Sequence, residues 1–148
     1  ARASSINLGA NVTLLIQNNG NLNLQDKGVL INAGDILCYG NISISNPLNT
    51  SGTAFTNSGS LLINSSSMLT ITNSGSTAIR NQAAGEITNN GIISILNNHA
   101  TNGLYGIDNL GMFSNSGQIT IENIQGKDIR LASGGMLENS DAGTIDLK

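Results

Sequence analysis

The side chains that could do chemistry in this chain are few and widely separated. Among 148 residues there are nine Asp and Glu, six Lys and Arg, one His and one Cys. Cleavage of a glycosidic bond needs two positioned carboxyl groups or a base with charge stabilisation, and a metal site needs several ligands at suitable spacing. The sequence shows no such cluster. It therefore predicts no catalytic centre, no metal site and no bound cofactor.

One charged set is a partial exception. Arg80, Asp108 and Arg130 are separated by 28 and 22 residues, so they would stack in a chain that coils with a period near 25 residues. We interpret such a stack as an exposed ion-pair ladder, which contributes little to stability. The alternative interpretation is a polysaccharide hydrolase or lyase site.

Two single residues have weaker signals. His99 lies in a segment with Tyr105, and without carboxylate or Cys partners it is expected to be a solvent-exposed side chain, although a loop there could bind a ligand. Cys38 is alone, so it cannot form an internal disulfide. It is expected to be a small buried apolar side chain.

Charge and hydropathy exclude several classes of protein. The net charge of −3 and the scattered basic residues give no patch that could neutralise a phosphate backbone, so nucleic acid is not expected as a partner. No apolar run approaches the roughly 18 to 20 residues that span a bilayer. No charged-then-apolar leader is present at Ala1, and we expect any export signal to have been removed.

An internal repeat predicts the fold. An apolar residue, any residue, Asn, any residue and Gly recur along the chain, with copies at 16–20, 30–34, 55–59, 87–91, 107–111 and 113–117. Read in threes, the Asn of each copy or the residue in its place marks six coils with a period of about 24 to 25 residues. This period predicts an all-β, right-handed parallel β-helix with three short strands per coil, as one domain over residues 1–148. The alternative is an antiparallel sheet of hairpins with Asn-Gly turns.

The residue two positions before each marker is expected to point into the core, because alternate residues of a strand share a face. On the first face these residues are Ser5, Leu30, Phe55, Ile79, Ile107 and Ile129. On the second they are Ile16, Ile36, Leu62, Ile87, Phe113 and Leu137, and on the third Leu24, Ile44, Ile71, Ile95, Ile121 and Ile145.

The marker residues themselves are predicted to form ladders of side-chain amides from coil to coil. The first ladder comprises Asn57, Asn81 and Asn109, the second Asn64, Asn89, Asn115 and Asn139, and the third Asn46, Asn73, Asn97 and Asn123. Asn tolerates a left-handed backbone at a corner, and the Gly two residues later is expected to adopt a positive φ. Longer segments between residues 7 and 18, 46 and 57, and 97 and 109 are expected to be loops.

Self-association is predicted from the outer surface and the terminal coils. No charged residue occurs from Ile36 through Ile79, and in the first three coils Ile6, Ile31, Leu37 and Ile63 are expected to point outward. An apolar outer surface of this kind suggests a covering subunit, although a neutral face with a few tolerated apolar residues is the alternative. The sequence leaves no room for a terminal cap, so we expect either a fragment of a longer solenoid or copies stacking into a fibre. The self-association residues would be Leu14, Ile16, Leu22, Leu24, Leu137, Ile145 and Leu147 at the edges, with Ile31, Leu37 and Ile63 on the outer surface.

The coils at Ile87–Ile95 (ITNNGIISI) and Phe113–Ile121 (FSNSGQITI) resemble those of secreted bacterial β-helix proteins of the adhesin and haemagglutinin type. The resemblance is one of architecture and covers nearly the whole chain. It implies a secreted or cell-surface location, a scaffold or adhesive role and a possible glycan or cell-surface partner, without assigning any binding residue. A carbohydrate-binding or carbohydrate-active module is the alternative. Ice binding is disfavoured because the outward Thr56, Thr72 and Thr88 are expected on different faces.

Overall fold

The computed structural model describes residues 5–26, 28–45, 52–98 and 104–148, and these residues form three parallel sheets of six strands each. Sheet 1 contains β1 (Ser5–Leu8), β4 (Val29–Asn32), β7 (Phe55–Asn57), β10 (Ile79–Asn81), β13 (Tyr105–Asn109) and β16 (Lys127–Leu131). Sheet 2 contains β2 (Thr13–Ile16), β5 (Asp35–Cys38), β8 (Ser60–Ile63), β11 (Glu86–Asn89), β14 (Met112–Asn115) and β17 (Met136–Asn139). Sheet 3 contains β3 (Asn21–Leu24), β6 (Asn41–Ser45), β9 (Met68–Thr72), β12 (Ile92–Leu96), β15 (Gln118–Glu122) and β18 (Thr144–Leu147).

The chain visits the three sheets in turn and then returns to the first. Strands β1, β2 and β3 make one coil, and β4 pairs with β1 to begin the next. Every strand pairs in parallel with the strand three places along the chain, so the parallel β-solenoid of six coils is confirmed. The hairpin alternative is wrong, because hairpins require antiparallel neighbours.

The core is a set of columns that run through the coils. Leu30, Phe55, Ile79 and Ile107 are paired in succession in sheet 1 and are at most 2% exposed. Ile87 and Phe113 pair in sheet 2, and Ile71, Ile95 and Ile121 pair in sheet 3. Strands of four or five residues alternate inward and outward, so each strand contributes about two side chains to the core.

Several residues predicted to lie in a core column are displaced in the structure, either to the opposite side of the strand or to another inward position of the same strand. In sheet 1 it is Ile6 that pairs with Leu30 and packs against the core, whereas Ser5 is exposed. The prediction that Ile6 points outward is therefore wrong. In sheet 3, Ile145 points inward but pairs with Ile119, and Leu147 pairs with Ile121.

In sheet 2 the core column that contains Ile36 and Ile87 passes through Leu61, where Leu62 was predicted, and through Leu14, where Ile16 was predicted. Ile16 also points inward and is 6% exposed, but it lies one inward position further along the strand. Ile63, predicted to point outward, is fully buried. The error arose from Asn64, which follows the end of β8 and accepts a turn hydrogen bond from the Ser67 amide, so it is not a ladder residue.

Asparagines form two amide ladders, and all of their members except Asn139 are buried. In sheet 1 the Nδ2 of each residue donates to the Oδ1 of the next, at 2.8 Å for Asn32 to Asn57, 2.9 Å for Asn57 to Asn81 and 2.8 Å for Asn81 to Asn109. In sheet 2 the equivalent bonds join Asn89 to Asn115 at 2.7 Å and Asn115 to Asn139 at 2.6 Å. The first ladder is confirmed with one additional member, Asn32. The second begins at Asn89, because Ile16, Cys38 and Ile63 take the equivalent places.

The third corner differs from the other two. Asn73, Asn97 and Asn123 have positive φ between 53° and 57°, as predicted for a corner. Asn123 donates to Asn97 at 3.2 Å on an exposed surface, and Asn46 lies outside the described residues. The ladder residues of sheets 1 and 2 are not among those with positive φ. Their backbone is in a strand, and their amides satisfy carbonyl groups at the corner, such as those of Gly59, Gly85 and Gly111.

The glycines after the ladder residues have a different role from the one predicted. Among the described glycines only Gly134 has a positive φ. At Gly59 and Gly117 an added Cβ would instead overlap the backbone of the preceding coil, at Gly34 and Gly91. These residues are glycine because the coils approach closely at the corner.

Loops were predicted in the three longer segments, between residues 7 and 18, 46 and 57, and 97 and 109. The first is a short turn, closed by the Val12 amide donating to the Gly9 carbonyl at 3.3 Å, so a loop there is wrong. Residues 46–51 and 99–103 lie outside the described residues, and the predicted loops there stay predictions.

Candidate functional site

A charged cluster lies on the outer side of sheet 1. The strand register stacks Arg80, Asp108 and Arg130 on consecutive coils, as the spacing predicted. The Nε of Arg80 lies 3.1 Å from Oδ2 of Asp108. Arg130 approaches the same carboxylate through two nitrogens, with Nε 2.7 Å from Oδ1 and Nη2 2.8 Å from Oδ2. Both guanidinium groups therefore converge on one carboxylate.

The cluster is more enclosed than an exposed ladder. The Asp108 side chain is fully buried, whereas the side chains of Arg80 and Arg130 are each 41% exposed. Arg130 also packs over the Tyr105 ring, with its guanidinium carbon 4.5 Å from the ring centroid, a cation–π contact. The hydrogen bonds that Arg130 donates to Asp108 are the main cause that raises the pKa of Arg130. The buried carboxylate thus fixes two arginines at the surface.

Not all of the guanidinium donors are used inside the cluster. Arg80 donates through Nε alone, and Arg130 through Nε and Nη2. Within the described residues, the two Nη groups of Arg80 have no protein acceptor, whereas Arg130 also interacts with Tyr105. The Nη groups of Arg80 can donate to a ligand that approaches from outside the solenoid.

A second surface feature is a column of leucines on the outer side of sheet 2. Leu15, Leu37 and Leu62 pair in succession on the first three coils. Leu15 is 51% exposed and the other two are half-buried. On sheet 1, Ile31 is 39% exposed, as predicted. The outward apolar positions of the first three coils therefore include Leu15, Ile31, Leu37 and Leu62, and the assignment of Ile6 and Ile63 to them was wrong.

The residues proposed for self-association divide into core and surface positions. Leu24 and Ile16 are buried, and Leu14, Leu22, Leu137 and Ile145 are partly buried against the core. Leu147 is 49% exposed. Strands β1, β2 and β3 lie along one edge of the three sheets, and β16, β17 and β18 lie along the other.

Of the two single residues with weaker signals, one is buried and the other lies outside the described residues. Cys38 is fully buried, and its Sγ donates to the Gly40 carbonyl at 3.3 Å, which fits the predicted apolar role. Burial raises the pKa of the Cys38 thiol, so the thiolate is disfavoured. His99 lies outside the described residues. Among the residues described, no group of three or more His, Cys, Asp and Glu could hold a metal ion.

The sequence identified the stacked charges but not the participation of Tyr105. The Tyr105 ring joins the cluster because it contacts Arg130, which lies on the neighbouring strand. Tyr105 is the first residue of β13 and pairs with Lys127, three residues before Arg130. The sequence pattern does not fix where β13 begins, so it could not place Tyr105 beside Arg130. The leucine column was missed for the same reason, since an error of one position at Leu62 reverses the side of the strand.

Comparison with models of known protein families, with curated proteins and with solved structures finds no match for this chain. In the part of the chain that the structure describes, no helix is long and apolar enough to cross a membrane.

Proposed function

We propose that this chain is a non-catalytic, extracellular β-solenoid that acts as a structural or adhesive element. The observation that carries the proposal is the repetition of the same three-strand coil six times, with the same parallel register. A fold of this kind presents long outer faces on a backbone that is hydrogen-bonded throughout its central coils. Such faces suit display and surface contact.

The outer composition supports a place outside the cell. Only 10% of the residues are charged, and the outward positions of sheet 3 include Ser43, Thr70, Ser94 and Thr120 in one column. A neutral face of hydroxyl groups and amides binds by many weak contacts. The resemblance of the Asn-rich coils to secreted adhesin-type solenoids points the same way.

Cell fractionation tests the location. Antibodies raised against this chain should label intact source cells or detect the protein in the medium, and proteolysis of intact cells should remove the surface signal. A cytosolic marker serves as the control for lysis. Detection of the protein in the cytosol alone would contradict the proposal.

A finer part of the proposal is that copies of the chain associate through the coil edges. Each edge strand has backbone groups that can pair with a further parallel strand, and the partly buried Leu14, Leu22, Leu137 and Ile145 would become fully buried. The exposed Leu147 continues the column of Ile121 and would also be covered at such a junction. Six coils at about 4.8 Å would give a repeat of roughly 29 Å per copy.

Sedimentation at rising concentration tests the association. The wild-type chain should form larger species, and Leu147→Asp should reduce them because a charge would be buried at the junction. Met112→Asp is the matched control, since Met112 is 39% exposed but lies in β14, which has a neighbour on both sides. A chain that stays monomeric at every concentration, or an equal effect of both variants, would contradict association through the edges.

A further inference from the structure

We propose that Arg80 and Arg130 form a binding site for a carboxylate or sulfate group of an acidic polysaccharide. The site is the outer side of the charged cluster, where the two guanidinium groups meet over Asp108. The inference goes beyond the scaffold role, because it assigns a ligand class to named side chains and can be tested on the isolated chain.

The geometry is that of a positioned pair of donors. Arg80 Nε and Arg130 Nη2 share the Oδ2 atom of Asp108, at 3.1 and 2.8 Å, so the guanidinium groups lie side by side. The fully buried carboxylate and the Tyr105 ring limit their movement. A guanidinium fork matches the two oxygens of a carboxylate or sulfate, and a fixed fork loses less conformational entropy on binding.

The local charge favours an anion. Arg80, Lys127 and Arg130 are three of the six basic residues in the chain, and they lie in sheet 1. The acidic residues on the same strands are Asp108 and Asp128. The cluster of Arg80, Asp108 and Arg130 itself has a net charge of +1 (two positive, one negative), in a chain whose net charge is −3. Asp108 accepts hydrogen bonds from both arginines, whereas the two Nη groups of Arg80 have no acceptor within the described residues.

The shape of the site favours a polymer over a small metabolite. The cluster lies on the side of a sheet and both arginines are 41% exposed, so a small ligand would keep most of its surface in water. A polysaccharide that lies along the outer face could add contacts with other residues, such as Tyr105, which is half-buried and presents part of its ring. A patch with a net charge of only +1 neutralises too few phosphates for tight binding of nucleic acid.

The test is a titration of 15N-labelled chain followed by NMR, with the Arg Nε–Hε signals as the direct readout. The probes are polygalacturonate for carboxylates, dextran sulfate for sulfates and neutral dextran, with free acetate and sulfate at equal concentrations of charged groups. We expect the signals of Arg80 and Arg130 to shift and saturate with at least one acidic polymer, and not with dextran. Binding of polygalacturonate would identify the recognised group as a carboxylate, and binding of dextran sulfate would identify it as a sulfate.

Arg80→Gln should weaken this binding by about tenfold, because one charge-assisted contact is removed. It leaves the two hydrogen bonds between Arg130 and Asp108, and an unchanged melting curve would verify folding. Arg80→Lys should also weaken binding, since it keeps the charge but loses the fork. Lys148→Gln is the control for net charge. Lys148 directly follows β18 of sheet 3 and pairs with Asp146, so it lies outside the cluster.

Three results would overturn the proposal. The first is no shift with either acidic polymer, or equal binding by Arg80→Gln and the wild type. The second is that free anions bind as tightly as the polymers, which would reduce the site to a general anion site. The third is tighter, Arg80-dependent binding of an oligothymidylate, which would identify a phosphate polymer as the ligand. None of these results bears on whether the chain is an extracellular scaffold.

Discussion

Asparagine has two separate uses in this molecule, and backbone conformation distinguishes them. At the third corner, Asn73, Asn97 and Asn123 have positive φ, which Asn tolerates better than most residues. In sheets 1 and 2 the ladder asparagines other than Asn139 are buried, and their amides bond to the next coil and to the corner carbonyls. A buried polar group is stable only when its hydrogen bonds are made, so the ladder is specific for Asn.

Asn81→Ala is expected to destabilise the fold. The Nδ2 of Asn81 donates to Asn109 Oδ1 at 2.8 Å and to the Gly85 and Met112 carbonyls at 3.1 and 2.9 Å. Buried carbonyl groups that lose this donor should lower the free energy of unfolding by about 1–3 kcal/mol. Urea denaturation of the variant measures the change.

The control is Asn23→Ala, because Asn23 is exposed on the outer side of sheet 3. It should change stability by less than about 0.5 kcal/mol. Equal effects of the two substitutions would mean that the ladder has no special energetic role.

At the scale of the strand and its corner, close approach between coils limits which residues fit. Gly59 and Gly117 follow ladder residues by two positions, and each lies directly against the corner of the coil before it. A side chain there would push the coils apart. The amide ladder at this corner needs Nδ2–Oδ1 distances of about 2.7 to 2.9 Å between asparagines of adjacent coils. The ladder and the glycine are therefore parts of one corner structure.

Gly117→Ala is expected to destabilise the chain by about 1–3 kcal/mol, as overpacked substitutions do. The added Cβ would overlap the backbone of Gly91 in the neighbouring coil. Gly9→Ala is the matched control, since a Cβ at Gly9 would have no heavy atom within 4 Å. Thermal unfolding of both variants compares them, and a Gly117→Ala variant as stable as Gly9→Ala would contradict the close approach.

The sequence predicted the number of coils and most of the core because the apolar positions recur with the coil period. It failed where Asn occurs in two contexts. Asn64 lies in a turn after β8, yet its residue type is that of a ladder member, so the register there was shifted by one position. The contribution of Tyr105 to the charged cluster depends on side-chain packing across two strands, and no periodic pattern encodes that contact.

Across the whole molecule, burial is greatest in the middle coils. Ile71, Ile79, Ile95 and Phe113 are completely buried, whereas the inward residues of β16, β17 and β18 are partly exposed. Each coil contacts only its neighbours, so the stability of a coil depends mainly on the coils that flank it. The chain should therefore open from the edges.

Amide hydrogen exchange tests this gradient. In the 148-residue chain at low concentration, amides in β7 to β15 should exchange more slowly than those in β1 to β3 and β16 to β18. The low concentration avoids protection by association between copies. Equal protection in all three groups would show that the solenoid opens only as a single unit.

The constant register has a consequence for how molecules of this kind change in length. Asn81 and Asn109 are equivalent positions in adjacent coils, so duplication of the segment between them would add one strand to each sheet without disturbing the columns on either side. An insertion that does not make up a whole coil would have to leave the solenoid at a corner. Recombination between equivalent asparagine codons therefore changes the height in steps of about 4.8 Å. Duplication between Asn81 and Asn109 would place a second Asp108 between Arg80 and Arg130, and would so move the two arginines apart by one coil.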